Sequence, residues 1–169
     1  MVSDSQQQWR KIGKTQFAFT QNETTVASMD IALGTMNRKA QISIADTRFT
    51  IEKVGFWKNT IEISDADGKV IATAYHEKWY ANAMILDYRG HAFKLLIRNN
   101  PLAEWAIVDD GNDVLAYGLT TSEGKAAIKI TASVRQHDLL LDCLLWYLFL
   151  PIAMENADDN ALFLLLATA

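Results

Sequence analysis

The sequence predicts a mainly β protein: a closed antiparallel β-barrel of about 11–12 strands around a central hydrophobic C-terminal helix. Three observations predict it. From about residue 16 to 135 the apolar residues recur with a period of two. Glycine-bearing polar turns separate the runs. Residues 138–154, "DLLLDCLLWYLFLPIAM", are apolar or proline apart from Asp138 and Asp142.

The period is clearest in "AAIKITASVR", where Ile128, Ile130, Ala132 and Val134 alternate with Lys129, Thr131, Ser133 and Arg135. Successive strand side chains point to opposite faces, so one face is apolar and the other polar. "FKLLIR" places Phe93, Leu95 and Ile97 on one face, against Lys94, Leu96 and Arg98. "QISIAD", "RFTIEK", "TIEIS", "VIATAY", "WAIVD" and "VLAYGL" alternate more weakly. The turns "DADGK" (65–69), "DYRGH" (87–91), "DDGND" (109–113) and "TSEGK" (121–125) each set a glycine beside a polar residue. Glycine supplies the positive φ that tight hairpins need. Their order predicts a meander of consecutive strands.

The helix follows from residue 138. Asp138 suits the N-cap, and its charge suits the positive end of a helix dipole. Asp142 lies one turn on, where the two could form a carboxylate pair, although capping is the simpler role. Beyond Cys143 the helix is apolar on every side, so it must be buried all round. Pro151 is expected to kink or end it. A bilayer span needs about 20 apolar residues. Leu139–Met154 supplies 16, with Asp142 and Pro151 among them. A barrel of so many strands is too wide for side chains alone to fill, and a rod of this length at 1.5 Å per residue is about 24 Å long. The enclosed helix, with no transmembrane span, is therefore the expectation.

The chain of 169 residues reads as one domain, with residues 1–15 as an N-terminal extension and 138–154 as the central helix. Cys143 is the single cysteine, which suits a reducing, cytoplasmic setting and a small core residue. "MVSDSQQQWRKIGK" has no apolar h-region and so no signal-peptide pattern. Net charge is −4. The basic residues concentrate in the first third, and residues 138–169 hold only acids. Bulk electrostatics argue against nucleic acid as a partner.

No motif for catalysis or metal binding emerges. His76, His91 and His137 stand alone, without metal-ligand spacing. "DADG" lacks the later ligands of a calcium loop and reads as a turn. "GKT" at 13–15 lacks the upstream glycine of a phosphate loop. The expectation is a non-enzymatic protein without cofactor or metal. Two stretches have another possible use. "GFWKN" (55–59) and "HEKWYAN" (76–82) put aromatics beside a lysine at expected strand ends. Phe56, Trp57, Trp79 and Tyr80 either close the barrel ends as core or face a membrane–water interface, with Lys58 and Lys78 toward headgroups. "NRK" (37–39) reads as a basic hairpin tip, where Arg38 and Lys39 either meet a phosphate or are simply solvated.

The order of parts is also familiar. "FTIEKVGFWKNTIEISDADGKVIATA" (49–74), "AIVDDGNDVLAYG" (106–118) and "VRQHDLLLDCLLWYLF" (134–149) carry a resemblance to the tubby C-terminal-like superfamily. That group includes the phospholipid scramblases and the LURP-one-related proteins. The resemblance spans roughly residues 40–155. It implies a twelve-stranded barrel around a central helix, and a protein that is cytoplasmic and membrane-peripheral. It also implies anionic phospholipid or phosphoinositide headgroups as partners, for which Arg38, Lys39, Lys58 and Lys78 are the candidate contacts. The calcium-loop and cysteine-rich segments of the scramblases have no counterpart here. A structural or protein-interaction scaffold without lipid binding is the alternative.

Overall fold

The computed structural model describes residues 7–32, 38–57, 59–99, 102–132 and 138–155. Twelve strands follow one another along the chain: β1 Gln7–Lys11, β2 Gln16–Gln21, β3 Thr24–Ile31, β4 Lys39–Ile44, β5 Thr47–Val54 and β6 Thr60–Asp65. After them come β7 Val70–Tyr75, β8 Ala83–Tyr88, β9 His91–Asn99, β10 Ala103–Asp109, β11 Asn112–Ser122 and β12 Lys125–Ala132. Each pairs antiparallel with its neighbours in sequence, in a single sheet. The helix α1, Leu139–Glu155, closes the described chain.

The sheet curls into a nearly closed barrel. Its edges, β1 and β12, share no ladder among the described residues. Side chains span the seam instead. Trp9 Nε1 on β1 donates to the Tyr117 hydroxyl on β11 at 3.0 Å. That hydroxyl donates in turn to Asp142 Oδ1 at 2.7 Å. Trp9 also stacks on Trp146 of α1, with ring centroids 5.1 Å apart and planes 9° from parallel.

The helix lies within this wall. Every residue from Leu140 to Leu150 is buried, a run of three turns that leaves no helical face in water. Its neighbours include β3 and β4 at one part of the wall and β10 and β11 at another. Alternate strand residues line the same interior, among them Ile42, Ile51, Leu95 and Ile128. Their outward neighbours include Gln41, Lys94 and Lys129. A barrel with an apolar inside and a polar outside reverses the plan of one that spans lipid. A smaller apolar cluster, Ala106, Val108 and Ala116 with Leu96, sits on the outer face of β9–β11.

Asp138 caps α1 as expected: its Oδ1 accepts from the Leu140 amide at 3.0 Å. It is also bound by the Tyr88 hydroxyl and by Arg89, at 3.3 Å. Asp138 and Asp142 thus hydrogen-bond to different strands, β8 and β11. Pro151 does not end the helix, which runs on to Glu155. A proline there removes one backbone bond in the last turns, while the enclosing side chains still hold the rod.

Two further expectations are corrected. Residues 7–11, assigned to an extension, form β1. Ile97, expected inward with Phe93 and Leu95, is 47% exposed. β8 begins at Ala83, opposite Leu96, so Ile97 has no β8 neighbour to pack beside. "DADGK" is a turn, as expected, held by its first carboxylate. Asp65 Oδ1 accepts from the Asp67 and Lys69 amides at 3.0 and 2.9 Å.

Candidate functional site

In a meander, successive hairpins fall at alternate ends of the barrel. The β2–β3, β4–β5, β6–β7, β8–β9 and β10–β11 connections share one end with the start of α1. The β1–β2, β3–β4, β5–β6, β7–β8, β9–β10 and β11–β12 connections share the other with its last turn.

The helix-entry end is tight and acidic. Four of its turns have two residues, at 22–23, 45–46, 89–90 and 110–111. At 110–111 both residues have positive φ, 46° for Asp110 and 81° for Gly111, the type I′ geometry that suits twisted strands. Glu23, Asp46, Asp67, Asp110 and Asp138 stand here against Lys69 and Arg89. His91 Nε2 lies 3.0 Å from Asp109 Oδ1, an exposed pairing. Behind them the buried polar groups are held in fixed partnerships. Burial, then the Asp142 charge, push the Tyr117 phenol well up; burial, then the hydrogen bond to Asp138, push Tyr88 up.

The opposite end has longer loops and bears most of the exposed apolar residues. Phe56 is 89% exposed, Trp57 80%, Trp79 92% and Tyr80 63%. Ile12, Ile97 and Leu102 are exposed at the same end, and among the described residues Val70 is the one large exposed apolar side chain at the other. The reading of Trp57, Trp79 and Tyr80 as core plugs is therefore overturned: α1 and the inward strand residues fill the barrel without them. Phe56 and Trp57 meet edge-to-face at 4.8 Å, and Trp79 and Tyr80 do so at 5.6 Å. Each pair touches itself and stands clear of the core. The two loops flank the β6–β7 pair and are neighbours on the rim.

The candidate cations divide. Lys78 is exposed, with its Nζ 5.8 Å from the centre of the Tyr80 ring. Lys39 is drawn toward Glu52 across the ladder, at 3.7 Å. Arg38 turns inward, its guanidinium 5.2 Å from the centre of the Tyr147 ring, while the Tyr147 hydroxyl donates to the Arg38 carbonyl at 2.6 Å. Burial pushes Arg38 below its ordinary value, although a guanidinium stays charged at neutral pH. Lys58 lies outside the described residues, as do His137 and residues 156–169. Lys14 and Lys53 also belong to this end, and the sequence reading passed over both.

Lys53 was missed for a physical reason. It is half-buried, and burial followed by the charge of Arg38 lowers its pKa. Finding it needs the β4–β5 register, set by the Ala45–Asp46 turn, which has no glycine to mark it. By contrast Arg98, on the outside of β9, is saturated: it bonds Glu104 at 2.5 Å and both oxygens of Asp113. Cys143 is wholly buried, and burial raises its thiol pKa well above the ordinary value, so it is not a ready nucleophile. Among the described residues, no three His, Cys, Asp or Glu side chains converge as metal ligands, and no helix is long and apolar enough to cross a membrane.

No protein-family model matches this sequence, and neither a curated protein nor a solved structure matches the chain.

Proposed function

We propose that the protein is a non-enzymatic binding module that docks peripherally on anionic membranes through the aromatic end of its barrel. The observation that carries this reading is the exposure of Phe56, Trp57, Trp79 and Tyr80 on adjacent loops of one rim. Four large aromatics held in water and clear of the core are unfavourable unless something covers them. Trp and Tyr favour the membrane–water boundary, where an apolar ring and a polar tip are both satisfied. Lys14, Arg38 and Lys78 lie at the same end with Glu77 and Glu123, while Glu23, Asp46, Asp67, Asp110 and Asp138 gather at the far one against Lys69 and Arg89. An anionic surface therefore attracts the aromatic end and repels the other.

Magnitudes assign the roles. Burying one Phe-sized side chain is worth about 1.5–3 kcal/mol. One lysine or arginine near an anionic leaflet adds about 1 kcal/mol, and salt screens it. The aromatics set the affinity; the cations set lipid preference and orientation. The resemblance to the tubby-like superfamily implies the same kind of partner.

Co-sedimentation with phosphatidylcholine vesicles, with and without phosphatidylserine, tests the proposal. Binding is expected to rise with phosphatidylserine and fall with salt. Exchanging Trp57 and Trp79 for serine is expected to abolish it. A full chain that stays in the supernatant with phosphatidylserine vesicles at low salt would sink the membrane reading. Concentration-dependent self-association that hides Trp57 and Trp79 would favour the scaffold instead.

A further inference from the structure

Beneath the Phe56–Trp57 loop the barrel presents two cations to its interior. β4 and β5 pair with Lys39 opposite Glu52. One step beyond, in the same register, Arg38 falls opposite Lys53. Lys53 follows the inward alternation of Phe49 and Ile51, and Arg38 that of Ala40 and Ile42. Arg38 lies against Tyr147 of the enclosed helix, which confirms the direction. Directly opposed strand residues have Cβ atoms about 4.5–5.5 Å apart. Like charges so placed repel, and both groups are half-buried, where repulsion is screened less than in water.

Neither cation has a carboxylate partner among the described residues. Glu52, the nearest acid along the ladder, is drawn to Lys39. Two adjacent, partly desolvated cations without a counter-ion are costly to the fold. Two other arginines of the barrel are treated differently, since Arg98 has two carboxylates and Arg89 has Asp138. Lowered pKa values at both Arg38 and Lys53 agree with this geometry.

We propose that Arg38 and Lys53 form an anion site for a phosphate monoester, reached from the aromatic end of the barrel. Two positive charges call for a dianion, and a monoester carries about −1.5 to −2 at neutral pH whereas a diester carries one charge. The guanidinium fork matches phosphate oxygens bidentately, and Lys53 supplies a point charge beside it. The contact with the Tyr147 ring, 5.2 Å from the guanidinium carbon to the ring centre, holds Arg38 toward the interior before the ligand arrives. The phosphate comes either from a lipid headgroup or from a free phosphorylated molecule. Only the lipid source rests on the membrane reading, which places headgroups at the depth where Lys53 precedes the Phe56–Trp57 loop.

Two measurements on the full chain separate these sources, each with Lys53→Met, which keeps the stem and removes the charge. Inorganic phosphate at constant ionic strength is expected to raise the Tm of the wild-type protein by linkage and to leave that of Lys53→Met unmoved. Phosphatidylcholine vesicles doped with phosphatidic acid are expected to bind the wild type about fivefold tighter than phosphatidylglycerol vesicles of equal surface potential, one cation's worth, and Lys53→Met without preference. Without phosphate, Lys53→Met should be at least as stable as the wild type, so loss of response cannot be assigned to misfolding. A phosphate response without vesicle binding supports the site and overturns the membrane reading. Equal binding to both vesicles, with no phosphate response distinguishing Lys53→Met, overturns the site and leaves the membrane reading standing.

Discussion

At the helix-entry end of the barrel the turns are mostly two residues long, and Asp138, Asp142, Tyr88 and Tyr117 hold one another in hydrogen bonds. At the aromatic end the same topology is joined mostly by longer loops, the two-residue β11–β12 turn at 123–124 excepted. Phe56, Trp57, Trp79 and Tyr80 stand in water, and Arg38 and Lys53 face inward with no carboxylate partner among the described residues. Chain closure does not require this difference, because two residues suffice to turn antiparallel strands. One end is built to be finished within the molecule. The other leaves aromatic surface in water and two inward cations without a carboxylate among the described residues, the features on which the proposed docking rests.

The sharpest way to break that comparison is to make the same substitution in both settings. Trp146 is fully buried, stacked on Trp9 and met edge-on by Phe17 at 5.4 Å. Trp146→Ala removes a filler of the barrel and a support of the β1 seam, and should cost about 3–5 kcal/mol. Trp79→Ala, at a side chain 92% exposed, should change stability by no more than about 0.5 kcal/mol. Urea unfolding of both variants measures the difference. Equal losses would mean that Trp79 is packed, and the division between the ends would disappear.

A smaller effect comes from pH, and its sign differs between the buried phenols, which include Tyr147 beside Arg38, and Lys53. The phenols of Tyr88 and Tyr117 have folded pKa values raised above the ordinary 10.0. In the alkaline range the unfolded chain releases these protons first, so their stabilising contribution is complete below pH 10.0 and is lost above it. Lys53 behaves in the opposite way. Its folded pKa lies below the ordinary 10.5, so the unfolded chain holds the proton longer and stability rises as pH approaches 10.5. Unfolding free energy should therefore climb slightly in mildly alkaline buffer and then fall steeply, with tyrosinate absorbance appearing as the fold is lost. Lys53→Met should flatten the climb and spare the fall; Tyr117→Phe should soften the fall and spare the climb.

Much of this division is written in the sequence, though unevenly. Strands such as β12, with Ile128 buried beside exposed Lys129, announce themselves through alternation. The helix announces itself through having no polar face. β1 does not, because "QQWRK" offers a single large apolar residue, Trp9, which acts by covering a seam that exists only after the sheet has curled. β2 is obscured differently: Phe17, Ala18, Phe19 and Thr20 are buried in succession, so its two faces look alike. The turns at Asn22–Glu23 and Ala45–Asp46 carry positive φ without glycine and leave no mark. Asn22 tolerates that conformation, but Ala45 adopts it at a cost that the paired strands offset. Registers set by such turns were illegible, and with them the meeting of Arg38 and Lys53. The aromatic pairs were visible as motifs. Whether a Trp at a strand end turns inward depends on how full the interior already is, a property of the whole barrel.

The least effect on the fold should come from the residues with most to do at its surface. Serine at Phe56, Trp57, Trp79 and Tyr80 together removes four rings that touch chiefly one another, in edge-to-face pairs at 4.8 and 5.6 Å. An exposed aromatic pair contributes about 0.5–1.5 kcal/mol at most, and these pairs lie within single loops, so part of that contact persists in the unfolded chain. The fourfold variant should unfold within about 1 kcal/mol of the wild type, since each exposed site shifts stability by no more than about 0.5 kcal/mol and some shifts are favourable. Its denaturant slope should be unchanged, because the core exposed on unfolding is the same. Reduced exposure of apolar surface should also make it less prone to aggregate. A fourfold variant that lost several kcal/mol, or whose slope fell, would show these rings to be part of the barrel's closure. The aromatic end would then be a second finished end, and its exposed surface would no longer call for a partner.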